Sequence, residues 1–132
     1  MQSNAIIKVP SISFENFINL VNVNKIDLIK IDIEGAEILL FNSTSSKTLA
    51  KISQISIEFH DFIASLKMEK EVEGIIKRLE EDGFYQINFS RLNHYDVLFL
   101  NRRVYTYLDY IKIKYFARFY EIVKRKYFKM IN

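Results

Sequence analysis

The chain has 132 residues, and its hydrophobic fraction of 49% and aromatic fraction of 14% are typical of a globular domain with a core rather than of a disordered segment. Because it contains no cysteine, disulfides and thiolate metal sites are excluded. We find no secretory signal, and no apolar run approaches the ~20 residues that span a bilayer. We therefore expect a cytoplasmic protein.

The net charge of +3 conceals an asymmetry along the chain. Residues 1–101 hold 10 basic and 14 acidic side chains, whereas residues 102–132 hold 9 basic and 2 acidic ones. The first part therefore has a net charge of −4 and the second of +7. This change predicts two parts, an acidic body (residues 1–101) and a basic tail (residues 102–132).

The body begins with two short predicted elements. Ile6–Val9 is an apolar run that ends at Pro10, as expected of an edge strand or a lead-in segment. After it, Ser11 or Ser13 can cap a short helix, whose apolar residues recur at helical spacing as far as Val21.

The clearest predicted strand is Ile26–Ile33. Alternation gives it two faces, with Ile29, Ile31 and Ile33 on one and Leu28, Lys30 and Asp32 on the other. Since apolar residues continue to its end, we expect both faces to be covered. Gly35 then permits a sharp turn, and Ala36–Phe41 is predicted as a short helix.

The rest of the body alternates between strand and helix patterns. After a polar loop at Ser43–Ser46, the predicted elements are strand Gln54–His60, helix Lys67–Asp82, strand Phe84–Phe89 and strand Tyr95–Leu100. The first of these strands has Ile55, Ile57 and Phe59 on one face, and Ser56, Glu58 and His60 on the other. The loop Ser90–His94 is too short for a parallel crossover and predicts an antiparallel hairpin.

This order of elements predicts an α/β fold, in which parallel strands are closed by an antiparallel hairpin. Right-handed crossovers place the carboxyl ends of strands 26–33 and 54–60 side by side. In α/β sheets, ligands bind at such strand ends.

The tail has helical periodicity from Arg102 to Asn132. Its apolar stripe is Val104, Leu108, Ile111, Tyr115, Phe119, Ile122 and Val123. Lys and Arg surround the stripe, which predicts a basic amphipathic helix. Packing on the body, attachment to an anionic membrane surface and contact with a partner helix all remain open. We do not expect nucleic acid as a partner, because the aromatic residues fall at helical spacing rather than on a strand platform.

Two segments resemble the FkbM family of methyltransferases. Lys30-Ile-Asp-Ile-Glu-Gly-Ala-Glu37 is similar to the family's K-[IV]-D-[IV]-E-G-A-E segment, and Ile57–His60 is similar to its strand ending in Glu-x-His. With Asp82–Tyr85 and Tyr95–Phe99, the resemblance covers roughly residues 6–101. It implies the C-terminal half of a Rossmann-like methyltransferase sheet. It also implies methyl transfer from S-adenosylmethionine to a hydroxyl of a sugar or another small molecule.

One feature of such enzymes is not found in this sequence. Their glycine-rich cofactor loop follows the first strand, because close approach of the backbone to a ligand needs glycine. Glycine occurs here only at positions 35, 74 and 83. We therefore expect a truncated or split form that is inactive alone, completed by a second chain or a homo-oligomer. The alternative is a non-catalytic remnant or binding module, held to a membrane surface by its tail.

The missing strands also have a consequence for the sheet. The edge of strand 26–33 would be open, and open edges pair with other chains. We therefore expect self-association unless Ile6–Val9 or the tail covers this edge.

Candidate site residues cluster where the two central strands end. Asp32, Glu58 and His60 are the candidate catalytic residues, because polar groups that converge at strand ends favour a site. The resemblance implies that the Glu34-Gly35 turn contributes to cofactor binding.

Purely structural roles can explain some of the same residues. Glu34 and Glu37 would stabilise a helix N-terminus. Lys30 and Glu58 would form a cross-strand ion pair. His94 is expected in a solvated turn.

Two mechanisms remain open for the candidate site. In the first, His60 or Asp32 is a general base that accepts the proton of the acceptor hydroxyl. In the second, Asp32, Glu34 and Glu58 bind a cation such as Mg²⁺, which acidifies the hydroxyl. We predict the first mechanism and no metal, because the sequence shows no close acidic triad.

Overall fold

The computed structural model describes residues 8–60, 68–90, 94–116 and 119–120. Strands and helices alternate, as the sequence predicts for an α/β fold. In chain order the elements are α1 (Phe14–Leu20), β1 (Ile29–Ile31), α2 (Glu37–Asn42), α3 (Ser46–Leu49), β2 (Gln54–Ile57), α4 (Glu69–Glu81), β3 (Phe84–Asn88) and β4 (Val97–Asn101). Residues 107–116, here called the tail helix, and residues 119–120 are also helical.

The four strands form one sheet in the order β1-β2-β4-β3. β1 and β2 are parallel, with Ile29 opposite Ile55 and Ile31 opposite Ile57. β4 lies between β2 and β3 and runs antiparallel to both. The predicted parallel pair and antiparallel hairpin are therefore confirmed, and the sheet is consistent with a Rossmann-like methyltransferase fold.

The hydrophobic core lies between this sheet and α4. Four side chains of α4 are buried against it at the predicted spacing: Val72, Ile75, Ile76 and Leu79. On β2 and just beyond it, Ile55, Ile57 and Phe59 are fully buried, as alternation predicts. Each such side chain contributes about 1.5–3 kcal/mol relative to an exposed one, so this face holds the two central strands in place.

β1 is shorter and more exposed than predicted. Instead of Ile26–Ile33 it covers Ile29–Ile31, with a separate bridge between Ile26 and Ile52. Leu28 is 57% exposed and Ile33 is 39% exposed, so the expectation that both faces are covered was wrong. The physical reason is position, because among the described residues β1 has a strand on one side only.

β2 also ends earlier than predicted, at Ile57 rather than at His60. The Glu58 amide still donates to the Ile31 carbonyl at 3.0 Å, but the Phe59 amide donates instead to the His94 carbonyl at 3.3 Å. The strand therefore ends where β1, its partner, ends. His94 is half-buried rather than solvated in a turn.

The hairpin strands differ from the prediction by one or two residues. β3 ends at Asn88 instead of Phe89, and β4 is Val97–Asn101 instead of Tyr95–Leu100. β4 extends to Asn101 because the amide of this residue donates to the Ser53 carbonyl at 3.0 Å. Positions 91–93 of the predicted loop lie outside the described residues.

The segment predicted as a polar loop, Ser43–Ser46, contains the start of α3. Ser45 caps this helix by accepting a hydrogen bond from the Thr48 amide at 3.3 Å. α3 has only four residues, too few for a periodic pattern to reveal. The preceding helix, α2, is displaced by one residue from the predicted Ala36–Phe41.

α1 begins as predicted, and of the two candidate caps the structure selects Ser13. Its hydroxyl accepts a hydrogen bond from the Asn16 amide at 3.2 Å.

The carboxylate of Glu15, in α1, contacts Ser45, the cap of α3. It accepts hydrogen bonds from the Ser45 amide at 2.6 Å and from the Ser45 hydroxyl at 2.9 Å. These bonds lower the pKa of Glu15, the amide bond most strongly.

Several predicted features lie wholly or partly outside the described residues. Of Ile6–Val9, only Val9 is described together with the preceding Lys8, and neither is in a strand. Lys67, the predicted first residue of α4, and Ile122 and Val123 of the tail stripe are also outside.

The described part of the tail is helical from residue 107, after a cap formed by Thr106 and Asp109. The Asp109 carboxylate accepts from the Thr106 amide at 3.0 Å and from its hydroxyl at 2.7 Å. Of the predicted apolar stripe, Leu108 and Tyr115 are exposed here, whereas Ile111 is half-buried. In the part of the chain that the structure describes, no helix is both long and apolar enough to cross a bilayer.

Candidate active site

The chain leaves β1 through a strained turn into α2. Asp32 follows the strand, and Glu34 and Gly35 then take positive φ values of 52° and 97°. Glycine adopts this conformation freely, whereas Glu34 does so at a cost of roughly 1–2 kcal/mol. The predicted Glu34-Gly35 turn is therefore present, and it holds Asp32 and Glu34 at the carboxyl end of the sheet.

Glu37, the first residue of α2, is fully buried. Its Oε1 accepts a hydrogen bond from the Ile33 amide at 3.2 Å and lies 3.2 Å from Nδ1 of His60. Its Oε2 has no hydrogen-bond partner among the described residues. Glu37 is in the first turn of α2, as the sequence predicts, but its carboxylate is buried against His60 rather than in solvent.

His60 is held between three carboxylates. Only 4% of the residue is exposed, and its Nε2 lies 3.3 Å from Oε2 of Glu34 and 4.0 Å from Oδ1 of Asp32. Since a carboxylate can only accept, we assign the proton of Nδ1 to the hydrogen bond with Glu37. Nε2 is directed toward Glu34 and Asp32, on the more exposed side of the cluster.

Lys30 and Glu58 form the cross-strand ion pair that was predicted as their purely structural role. Nζ of Lys30 lies 3.1 Å from Oε1 of Glu58 and 3.6 Å from Oδ2 of Asp32. The hydrogen bond with Glu58 and then its charge raise the pKa of Lys30. The carboxylate of Glu58 is therefore paired with the Lys30 ammonium. Its predicted catalytic role stays a prediction, and this pairing does not favour it.

Tyr95 approaches the same cluster from the hairpin, and the sequence did not single it out. The charge of Glu58 raises the pKa of Tyr95, and burial and a hydrogen bond to Glu58 act in the same direction. Tyr95 therefore stays a neutral hydroxyl donor. The sequence did contain one signal for it, because an antiparallel β4 must start at the edge where β2 ends.

The structure also rearranges the candidate cation ligands. One ligand atom each from Asp32, Glu34 and His60 lies within 4.8 Å of the others. The sequence instead groups Asp32 and Glu34 with Glu58. In the structure His60 takes the place of Glu58 in this group, and Glu58 is paired with Lys30. Two carboxylates and an imidazole could hold a divalent cation, or Nε2 could act as a proton acceptor.

The sequence therefore anticipated three of the converging side chains, Asp32, Glu34 and His60. Of Glu37 it anticipated the position but not the burial. Together these groups can remove a proton from a bound hydroxyl and can attract a positively charged ligand.

Comparison with known proteins adds one match. A family model described as the methyltransferase FkbM domain matches residues 2–85. The matched region contains β1, the turn, α2, β2 and α4, and hence every site residue above except Tyr95. No curated protein and no solved structure matches the chain.

Proposed function

The chain belongs to the FkbM methyltransferase family, as its motifs indicate, and from this premise we propose that it contributes the proton-accepting side of an O-methyltransferase site. The observation that carries the proposal is the position of His60. Its Nδ1 is held by Glu37, and its Nε2 is directed to the end of two parallel strands, where ligands of such sheets bind. The proposed acceptor is a hydroxyl of a sugar or another small molecule.

The family implies a methyl donor, typically S-adenosylmethionine, and the described residues fit one end of it. Asp32 and Glu34 are at least partly exposed carboxylates and complement a sulfonium and an ammonium charge. The Glu34-Gly35 turn is the proposed contact. The glycine-rich segment that would approach the nucleoside is proposed to come from a second chain, beside the open edge of β1.

The proposed chemistry uses the cofactor only as a source of an electrophilic methyl group. Nε2 of His60 accepts the proton of the acceptor hydroxyl, which makes the oxygen a better nucleophile. Nδ1 keeps its hydrogen bond to Glu37, so the charge that develops on the ring faces a buried carboxylate. Glu34 is 82% exposed and can move away from Nε2 when the hydroxyl enters.

A transfer assay with tritium-labelled S-adenosylmethionine and a panel of hydroxylated sugars tests this proposal. It is run on the chain alone and with candidate completing chains, and cofactor binding is measured by calorimetry. We expect His60→Gln to lower the transfer rate about 100- to 10,000-fold. His94→Gln, which changes the other histidine of the chain, is the matched control.

Two results would contradict the proposal. Transfer at the wild-type rate by His60→Gln would remove the general base. Absence of cofactor binding in every combination would remove the methyltransferase activity itself and would favour a non-catalytic binding module.

A further inference from the structure

The tail helix is attached to the body through its first turns. Tyr110 stacks on Tyr85 of β3 with ring centroids 4.9 Å apart, and Tyr107 meets the same ring edge-on at 6.1 Å. The guanidinium of Arg102 lies 4.8 Å from the centroid of Tyr85. These contacts therefore hold the helix at the β3 edge of the sheet, and they fix the position of its exposed side chains.

Beyond these turns, aromatic side chains are exposed together. This surface, here called the aromatic face, consists of Tyr115, Phe116, Phe119 and Tyr120. Phe116 is 73% exposed and Phe119 is 66% exposed. With Lys112 and Ile113, three of these rings line an open apolar hollow of about 670 Å³. Exposed apolar surface of this kind marks an interaction site.

The charge around the aromatic face indicates what it binds. Residues 102–132 have a net charge of +7, against −4 for the rest of the chain. Lys112 is exposed beside the hollow, and Nζ of Lys114 hydrogen-bonds the Tyr110 hydroxyl at 2.8 Å. A partner that complements this face has negatively charged groups at its surface and an apolar layer under them. An anionic lipid bilayer has this chemistry.

Other partners fit these observations less well. A nucleic acid would provide the negative charge, but its recognition by aromatic rings uses a stacking platform, and these rings are exposed on helical residues rather than on a strand. A protein helix would cover the rings but would not require nine basic residues against two acidic ones. Tyrosine and phenylalanine beside lysine are the residues that anchor a helix in the headgroup region.

We propose that the aromatic face binds the surface of an anionic phospholipid bilayer. Phe116 and Phe119 enter the interface between headgroups and acyl chains, and the surrounding Lys and Arg side chains contact the lipid phosphates. The proposal does not depend on methyl transfer, because none of its residues belongs to the His60 cluster.

Vesicle flotation of the full chain tests this. The probes are phosphatidylcholine vesicles with and without phosphatidylserine. We expect the wild-type chain to partition onto the phosphatidylserine vesicles at least about tenfold more strongly, and added salt to weaken binding. The double variant Phe116→Ser/Phe119→Ser should lose about tenfold or more of this binding. Circular dichroism of each variant establishes that it is folded.

The matched control is Leu39→Ser, which removes an exposed leucine from α2 and should leave vesicle binding unchanged. Equal binding by the double variant and the wild type would overturn the proposal, as would no binding to phosphatidylserine vesicles. Light scattering that shows the double variant converting an oligomer to a monomer, without vesicle binding by the wild type, would assign the aromatic face to a second copy of the chain instead.

Discussion

Glu37 lies behind His60 without contact with solvent, although an acidic residue at the start of a helix is ordinarily exposed. A buried carboxylate is costly unless it is paired, and one of its oxygens has no partner among the described residues. The compensation comes from the other oxygen, which bonds both the Ile33 amide and the His60 ring. We therefore propose that Glu37 is a positioning residue, which holds the imidazole in one tautomer.

Replacing Glu37 by glutamine tests this role. The amide can donate to Nδ1, which would move the ring proton to Nε2 and block proton acceptance there. We expect the transfer rate to fall about 100-fold or more. Nitrogen NMR of the imidazole should show the change of tautomer, a signal that a merely structural role would not move. Glu73→Gln on α4 is the control, and an unchanged tautomer in Glu37→Gln would contradict the assignment.

The same cluster makes a prediction about metals. If His60 is the base, its Nε2 cannot also bind a metal ion, and Lys30 already supplies a positive charge next to Asp32 and Glu58. Treatment with EDTA should therefore leave methyl transfer unchanged. A loss of activity that is restored by Mg²⁺ would instead support the cation alternative, with Asp32, Glu34 and His60 as ligands.

At the scale of elements, contacts far apart in sequence hold the short helices in place. α2 and α3 have six and four residues, too few to be stable alone. Arg78 of α4 donates to the Phe41 carbonyl at the end of α2 and to the Thr44 carbonyl, each at 2.6 Å. Glu15 of α1 accepts from Ser45, the cap of α3. These polar contacts between helices add to the burial of one apolar side chain from each short helix, Phe41 and Leu49.

The Glu15 contact predicts a dependence of stability on pH. Because its pKa is lowered in the folded chain, its contribution is fully present above its ordinary value of 4.5 and is lost as the pH falls through the lowered value. Glu15→Gln should therefore be less stable than the wild type in urea unfolding at neutral pH. The difference should shrink in acid. A difference that is independent of pH, or equal to that of the exposed control Glu73→Gln, would contradict this.

At the scale of the whole molecule, the two edges of the sheet differ in what covers them. The tail helix contacts Tyr85 on the β3 edge, so its described part lies away from β1. On the other edge, β1 has no strand beyond it among the described residues, and Leu28 and Ile33 are exposed there. Such an edge is a template for pairing with another chain. A completing chain or a second copy remains the proposed partner.

The open edge predicts self-association of the isolated chain. Leu28→Lys places a charge beside β1, so it should shift the chain toward monomers in light scattering. Leu39→Lys, which changes an exposed leucine of α2, should not. A wild-type chain that is monomeric at all concentrations would contradict the prediction.

Much of the fold could be predicted because its signals are local. Alternation over Gln54–Ile57, the helical stripe of α4 and the short hairpin loop each depend on residues close in sequence. These patterns led to the parallel pair and the antiparallel hairpin that the structure contains. The same alternation, together with the motif from Lys30 to Glu37, predicted that Asp32 and His60 lie at the end of the sheet.

Only the tertiary structure decided which side chains of the site contact each other and which are buried. Glu37 and His60 are 23 residues apart, and their contact depends on how the Glu34-Gly35 turn packs α2 under β2. It also decided that Glu37 is buried, and that Leu28 and the aromatic face are exposed. The physical reason is that periodicity states which side of an element a residue occupies. Burial and pairing depend on which other element covers that side.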